Sequence, residues 1–336
     1  MKLLAPLMLL ITLCGCSVES GGTKAFSPQP ANLNSRKNPL SEDKIALGRM
    51  LYYEARLSRS QTVSCNTCHP LTRYGVDGTA VSIGHRGLKG NRNAPTVYNA
   101  AGHIAQFWDG RAPDVEEQAK GPLTNPVEMA LANADSAVAM LKSIPGYMDL
   151  FRAAFPGERD PISFDNIAKA IGVFERGLTT PTRWDHYLNG DANALTPAEK
   201  AGFQTFAKAG CPSCHMGPLL GGNIYQKLGI ANPWPEESDM GVFMISSKEA
   251  DKLVFKVPSL LNIAETGPYF HNGKVAKLED AVRKMGHYQL GKELTEDEVR
   301  GIKTWLRSLT GEIPQEYIRK PELPPNGPTT PAPDLS

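Results

Sequence analysis

Neither sign of charge is in surplus: 36 lysines and arginines stand against 35 acids over 336 residues, a net charge of +1. That balance gives nucleic acid or an anionic membrane surface no footing as a partner. Cysteine is scarce. Of six, Cys14 and Cys16 lie at the extreme N-terminus, and the others are Cys65, Cys68, Cys211 and Cys214, all in two C-x-x-C-H units. None is left over, which excludes an independent disulfide framework. Sustained period-two alternation is missing, so nothing argues for a sheet. The opening apolar run, MKLLAPLMLLITLCGC, is too short to cross a bilayer as a helix.

That run, with its single leading lysine, has the pattern of a secretory signal, expected over residues 1–15. Leu13-Cys14-Gly15-Cys16 resembles a bacterial lipoprotein cleavage box, which makes Cys16 a candidate lipid anchor; the alternative is an ordinary cleaved signal. The expected location is the periplasm. Residues 16–39, rich in Gly, Ser, Pro and Asn, read as a flexible tether.

From residue 40 the same order occurs twice: a helix, a C-x-x-C-H unit, long loops with turn residues, and a closing amphipathic helix. Ser41-Glu42-Asp43 and the capping box of Thr196 and Glu199 start the leading helices, and Thr295 with Glu298 starts the last, with Gly311 placed to end it. The expected fold is all-α, with two cytochrome c-like domains at 40–180 and 181–322, a join near 179–191, and a Pro-rich tail at 323–336.

C-x-x-C-H supplies two thiols spaced to add to the vinyl groups of a haem and an adjacent imidazole to ligate its iron. A thioredoxin-like pair would not explain a following histidine twice, and zinc would need four ligands from both copies. Two covalent c-type haems are therefore expected, with His69 and His215 as proximal ligands. The second axial position decides between electron transfer and catalysis. By residue type alone, each remaining histidine reads as a surface or hydrogen-bonding residue, and Met285 as core.

"VSIGHRGLKGNRNAPTVYNA" and "AQFWDGRAPDVEEQAKGPLTNPVEM" in the first half, with "VFKVPSLLNIAETGPYFHNG" and "MGHYQL" in the second, closely resemble the bacterial dihaem cytochrome c peroxidases. The resemblance implies His85 as a displaceable ligand of the N-terminal, peroxidatic haem and Met285 as the distal ligand of the C-terminal haem. It implies Glu128 as a distal acid–base group, Gln118 as a distal polar residue, and Trp108 as an aromatic between the haems. Asn93, Thr266 and Pro268 match the protein ligands of an inter-domain calcium. On composition alone Glu128 and Gln118 read as solvated helix residues.

The implied reaction is reduction of hydrogen peroxide to water with two electrons from a small periplasmic donor, such as a monohaem cytochrome c or a cupredoxin. A homodimer is the family's common assembly. The alternative is a non-catalytic dihaem electron carrier, with both irons permanently six-coordinate. A related enzyme that oxidises tryptophans of a partner protein uses a tyrosine ligand, against which Met285 argues.

Overall fold

Each half is built on one close crossing of two helices. Helix Glu42–Tyr53 is capped by Ser41, whose side chain accepts from the Lys44 N–H, with Glu42 and Asp43 in its first turn. It crosses helix Phe164–Arg176 at Gly48, where a Cβ would stand 1.9 Å from the Ala170 carbonyl oxygen. In the second half, helix Pro197–Ala209 opens with the Thr196–Glu199 capping box and helix Glu296–Leu306 with the Thr295–Glu298 box. They cross at Gly202, where a Cβ would lie 2.1 Å from the Gly301 oxygen. Both crossings are thus backbone against backbone, and only glycine fits.

Around these crossings lie two apolar cores. The first includes Leu47, Leu51, Leu141, Phe151 and Ile167, and the second Trp184, Phe203, Phe206, Ile302 and Trp305. Each such side chain, fully buried, contributes roughly 1.5–3 kcal/mol.

This computed structural model describes residue 23 and residues 25–335; the expected signal and Cys16 lie outside the described residues. Among the described residues no helix is long and apolar enough to cross a membrane. The chain is largely helical, but one antiparallel ladder pairs Tyr225–Lys227 with Val254–Lys256. At three residues per strand, no alternation could have announced it.

The join is a shared hydrogen-bond centre. Asn99 and Asn262, both left-handed (φ 60° and 59°), each donate from Nδ2 to the Thr180 hydroxyl at 2.8 Å. Their N–H groups bond the Leu178 and Leu309 carbonyls at 2.8 and 2.9 Å. Gly311 does not cap the last helix as expected: a 3-10 turn, Arg307–Leu309, intervenes. Gly311 pairs instead with Thr182 and donates to Asn262 Oδ1 at 2.9 Å.

The chain ends cross over. Within the stretch read as a flexible tether, residues 25–39 are laid against the body: Phe26 packs edge-on to Trp184 and Phe203, with centroids 5.7 and 5.6 Å away. Gln29 donates from its side chain to Asp185 and to the Thr180 carbonyl. A few anchoring side chains fix a segment that has no period of its own. At the other end, Tyr317 stacks on Phe174 at 5.1 Å and the Tyr53 hydroxyl donates to the Ile318 carbonyl at 2.6 Å. Residues 313–322, grouped by sequence with the second half, therefore complete the core of the first, and the tail continues along it to Thr330, which donates to the Ser143 carbonyl.

Candidate haem sites

The first C-x-x-C-H unit is one helical turn, Cys65–Cys68, with His69 as its C-cap. His69 Nδ1 lies 3.1 Å from the Gly75 carbonyl, and His215 Nδ1 lies 3.2 Å from the Leu220 carbonyl. A carbonyl can only accept, so each Nδ1 carries the proton and each Nε2 keeps a lone pair, the tautomer a metal-ligating histidine needs. Burial favours the neutral ring in both: it lowers the His69 pKa, and it brings that of His215 down to about 4. The same turn follows both histidines: Tyr74 and Leu220 are left-handed, and Gly75 and Gly221 donate back to the carbonyls of Pro70 and Met216.

The thiols are free, and burial pushes Cys68 up to about 11 and Cys211 up to about 12. A redox pair needs a depressed thiol pKa, so this environment opposes the thioredoxin-like reading. Among the described residues no three His, Cys, Asp or Glu side chains converge to hold a metal, so the motifs do not pool their thiols around zinc.

Cys211, Cys214 and His215 open onto a largely apolar cavity of about 250 Å³, also lined by Met285 and by Leu278, Ala281 and Val282 of helix Leu278–Leu290. A proximal-type histidine, a thioether and apolar walls are the donor set and surroundings that suit a c-type haem. Trp108, Asn93, Thr266 and Pro268 line the same cavity. The Trp108 indole N–H donates to the Asn93 carbonyl at 2.9 Å, and the ring meets His271 edge-on at 6.4 Å. Trp108 and His271 occupy equivalent hairpins, closed by the bridges Gln106–Ala112 and Tyr269–Val275. Each hairpin accepts from the other half: Asn93 N–H donates to the His271 carbonyl at 2.8 Å, and Lys256 N–H to the Trp108 carbonyl at 2.9 Å.

In the first half His85 is 4% exposed, yet neither ring nitrogen has a hydrogen-bond partner among the described residues. A buried imidazole with two orphan nitrogens is costly unless something absent from the chain engages it. It lines a recess with Arg59, Arg86, Thr124 and Pro126. Its N–H donates to the Glu128 carbonyl at 2.8 Å, and a Cβ on Gly84 would come within 2.2 Å of the Val127 oxygen.

The Glu128 carboxylate accepts from Asn125 Nδ2 at 2.6 Å. Burial raises its pKa, against the opposing pull of Arg111 and of that hydrogen bond. Its charge is a minor cause, after desolvation, of the raised Cys65 and Cys68 pKa values. Gln118, half-buried on helix Val115–Thr124, makes no side-chain hydrogen bond with another described residue.

Sequence reasoning passed over Arg111, which stacks 3.5 Å over Phe107 and bonds Asp109, and Arg92, which bonds Asp109 and Asp239. It also passed over Glu175, wholly buried with its pKa raised to about 8 by desolvation. Only the density of charge in "NRNAP" and "WDGR" hinted at the arginines.

The profile of the Di-haem cytochrome c peroxidase family matches residues 42–193. The cytochrome c551 peroxidase of Pseudomonas aeruginosa is 45% identical over 315 residues, covering 92% of this chain and 90% of its own. The chain belongs to the di-haem cytochrome c peroxidase family. The cytochrome c551 peroxidase of Nitrosomonas europaea is 42% identical over 325 residues, with 96% of each chain covered. Among solved structures, a MauG-like protein associated with microbial copper homeostasis aligns with a TM-score of 0.78 at 33% identity, over 87% of this chain and 97% of that one. As a di-haem cytochrome c peroxidase, the chain is an oxidoreductase that uses two c-type haems.

Proposed function

We propose that this peroxidase works in the periplasm, takes electrons one at a time from a small redox protein into its second half, and reduces hydrogen peroxide in its first. The balance is one H2O2, two electrons and two protons to two waters. When bound, the haems supply the iron that accepts peroxide oxygen and stores electrons. In this reading His69 would hold the first half's haem iron with His85 as a displaceable second ligand, and His215 and Met285 would hold the second half's.

Glu128 then moves the proton. As a carboxylate it takes hydrogen from the inner peroxide oxygen, and as the acid it returns that hydrogen to the departing one, with Asn125 fixing one of its oxygens. A pKa raised by burial brings the acid nearer the working pH, which suits a group that must both accept and donate. Gln118, with an uncommitted amide, would orient peroxide or water. Trp108 would lie on the electron path between halves. Asn93, Thr266 and Pro268 would share a calcium: Asn93 spends Nδ2 on the Thr79 carbonyl, which leaves Oδ1 free as a ligand.

The observation that carries this reading is the tie between His85 and Glu128. The orphaned imidazole and the acid–base carboxyl sit on two turns joined by the main-chain bond from the His85 N–H to the Glu128 carbonyl, so a movement that frees the site also involves the group that works there. Spectra of the oxidised and half-reduced holoenzyme, followed by peroxide turnover with a reduced donor, test it. A high-spin, peroxide-binding haem is expected on half-reduction; two unchanging low-spin haems with no turnover would support the electron-carrier alternative instead.

A further inference from the structure

Lys256 is 7% exposed and, among the described residues, has no carboxylate partner; its ammonium hydrogen-bonds a ring nitrogen, His103 Nδ1, at 3.2 Å. Desolvation alone pushes its pKa down to about 8, with no acid nearby to offset it. Lysine can only donate, so the shared hydrogen bond makes His103 Nδ1 the acceptor and leaves the ring proton on Nε2. That Nε2 is enclosed and also without a partner among the described residues. The pair therefore presents hydrogen-bond donors and no acceptor, in a place where an unpaired charge is expensive.

Both residues line the cavity of His215 and Met285, yet they come from opposite halves. His103 is brought in by the first half, where Ile104 N–H bonds the Gly222 carbonyl at 2.8 Å; a Cβ on Gly222 would meet the His103 ring at 2.2 Å. Lys256 ends the strand Val254–Lys256, and its own N–H is held by the Trp108 carbonyl. The rest of the lining is mostly apolar, and the anionic groups a haem brings into such a cavity are its propionates.

We infer that Lys256 and His103 form a seat for a propionate of the second half's haem, with one donor group contributed by each half. The inference rests on the assignment of that haem to the cavity of His215 and Met285. A lysine beside the haem favours the reduced form, because the added electron is closer to a positive charge. Lys256 and His103 are thus positioning residues that raise the reduction potential.

Spectroelectrochemical titration of the holoenzyme tests the seat. Lys256→Gln is expected to move the reduction equilibrium of the methionine-ligated haem at least tenfold toward the oxidised form, about 59 mV for one electron. The other haem should move less than twofold. Lys256→Arg should restore most of the loss, and His103→Ala should shift the same haem in the same direction by less. An unchanged equilibrium in Lys256→Gln, with both haems incorporated and the methionine-ligated spectrum intact, overturns the seat. Should that variant fail to mature, an unchanged potential in His103→Ala overturns it equally. Absence of any methionine-ligated haem from the parent would instead overturn the cavity assignment beneath it.

Discussion

The two halves share a crossing, a turn and a hairpin, and differ in what the next helix carries over the site. Counted from Gly110 and Gly273, which have φ 69° and 60° in equivalent hairpins, the twelfth residue is Pro122 in one half and Met285 in the other. Met285 lies within a helix that continues to Leu290. Pro122 offers no ligand atom, and its helix stops at Thr124, after which the turn holding Glu128 begins. The same position thus provides a sulfur in one half and, in the other, an early helix end that makes room for an acid.

His85, the exchangeable ligand proposed for the first half, is held differently. His85 sits in a short 3-10 turn with Arg86 left-handed, fastened by main-chain bonds such as Gly84 N–H to the Leu88 carbonyl. A residue on a thirteen-residue helix moves only with that helix, whereas a turn held by a few hydrogen bonds opens locally at lower cost. On the ligation proposed above, permanence at one iron and exchange at the other would follow from the secondary structure around them.

Three experiments press on this asymmetry. Glu128→Gln should lower kcat/KM for peroxide by roughly 10² to 10⁴ while leaving the methionine-ligated spectrum unchanged. Because burial raises the Glu128 pKa, the carboxylate form is lost as pH falls through a value above the usual acid range, and the acidic limb of the parent's pH–rate profile should disappear in the variant. Retained activity would move the acid–base role elsewhere. His85→Gly should make the fully oxidised enzyme react with peroxide on the order of tenfold faster than the parent, by removing a ligand that otherwise has to leave. A variant as inert as the parent defeats the exchange idea. Smallest is a matched pair, Gly48→Ala and Gly202→Ala, each expected to cost about 1–3 kcal/mol by chemical denaturation, since the added methyl meets a carbonyl in both crossings. Unequal costs would show that the crossings are alike in shape only.

Much of this organisation was legible in the chain. Caps at Ser41, Thr196 and Thr295, the helices they start and the two attachment motifs are local signals, spaced within a turn or two. The join was legible as a region, though not its mechanism: nothing near Thr180 tells that Asn99 and Asn262, 81 and 82 residues away, bond the same hydroxyl. Lys256 and His103 escaped notice for the same reason, being 153 residues apart and unremarkable singly. Residues such as Glu128 and Met285 stood out only through resemblance, since a lone acid or methionine carries no spacing to decode. The docking of residues 25–39 was illegible because Phe26 is one aromatic in a stretch without period.

The crossed ends change what counts as a unit of this molecule. The first helix-and-motif block lacks a finished core until Tyr317 and Ile318 arrive from the far end of the chain, and the second borrows Phe26 from the near end. Cutting the polypeptide at the join would leave two pieces each still gripping the other, like clasped forearms. The repeat seen in the sequence is therefore a repeat of motifs, while the smallest piece with its interior complete is the whole.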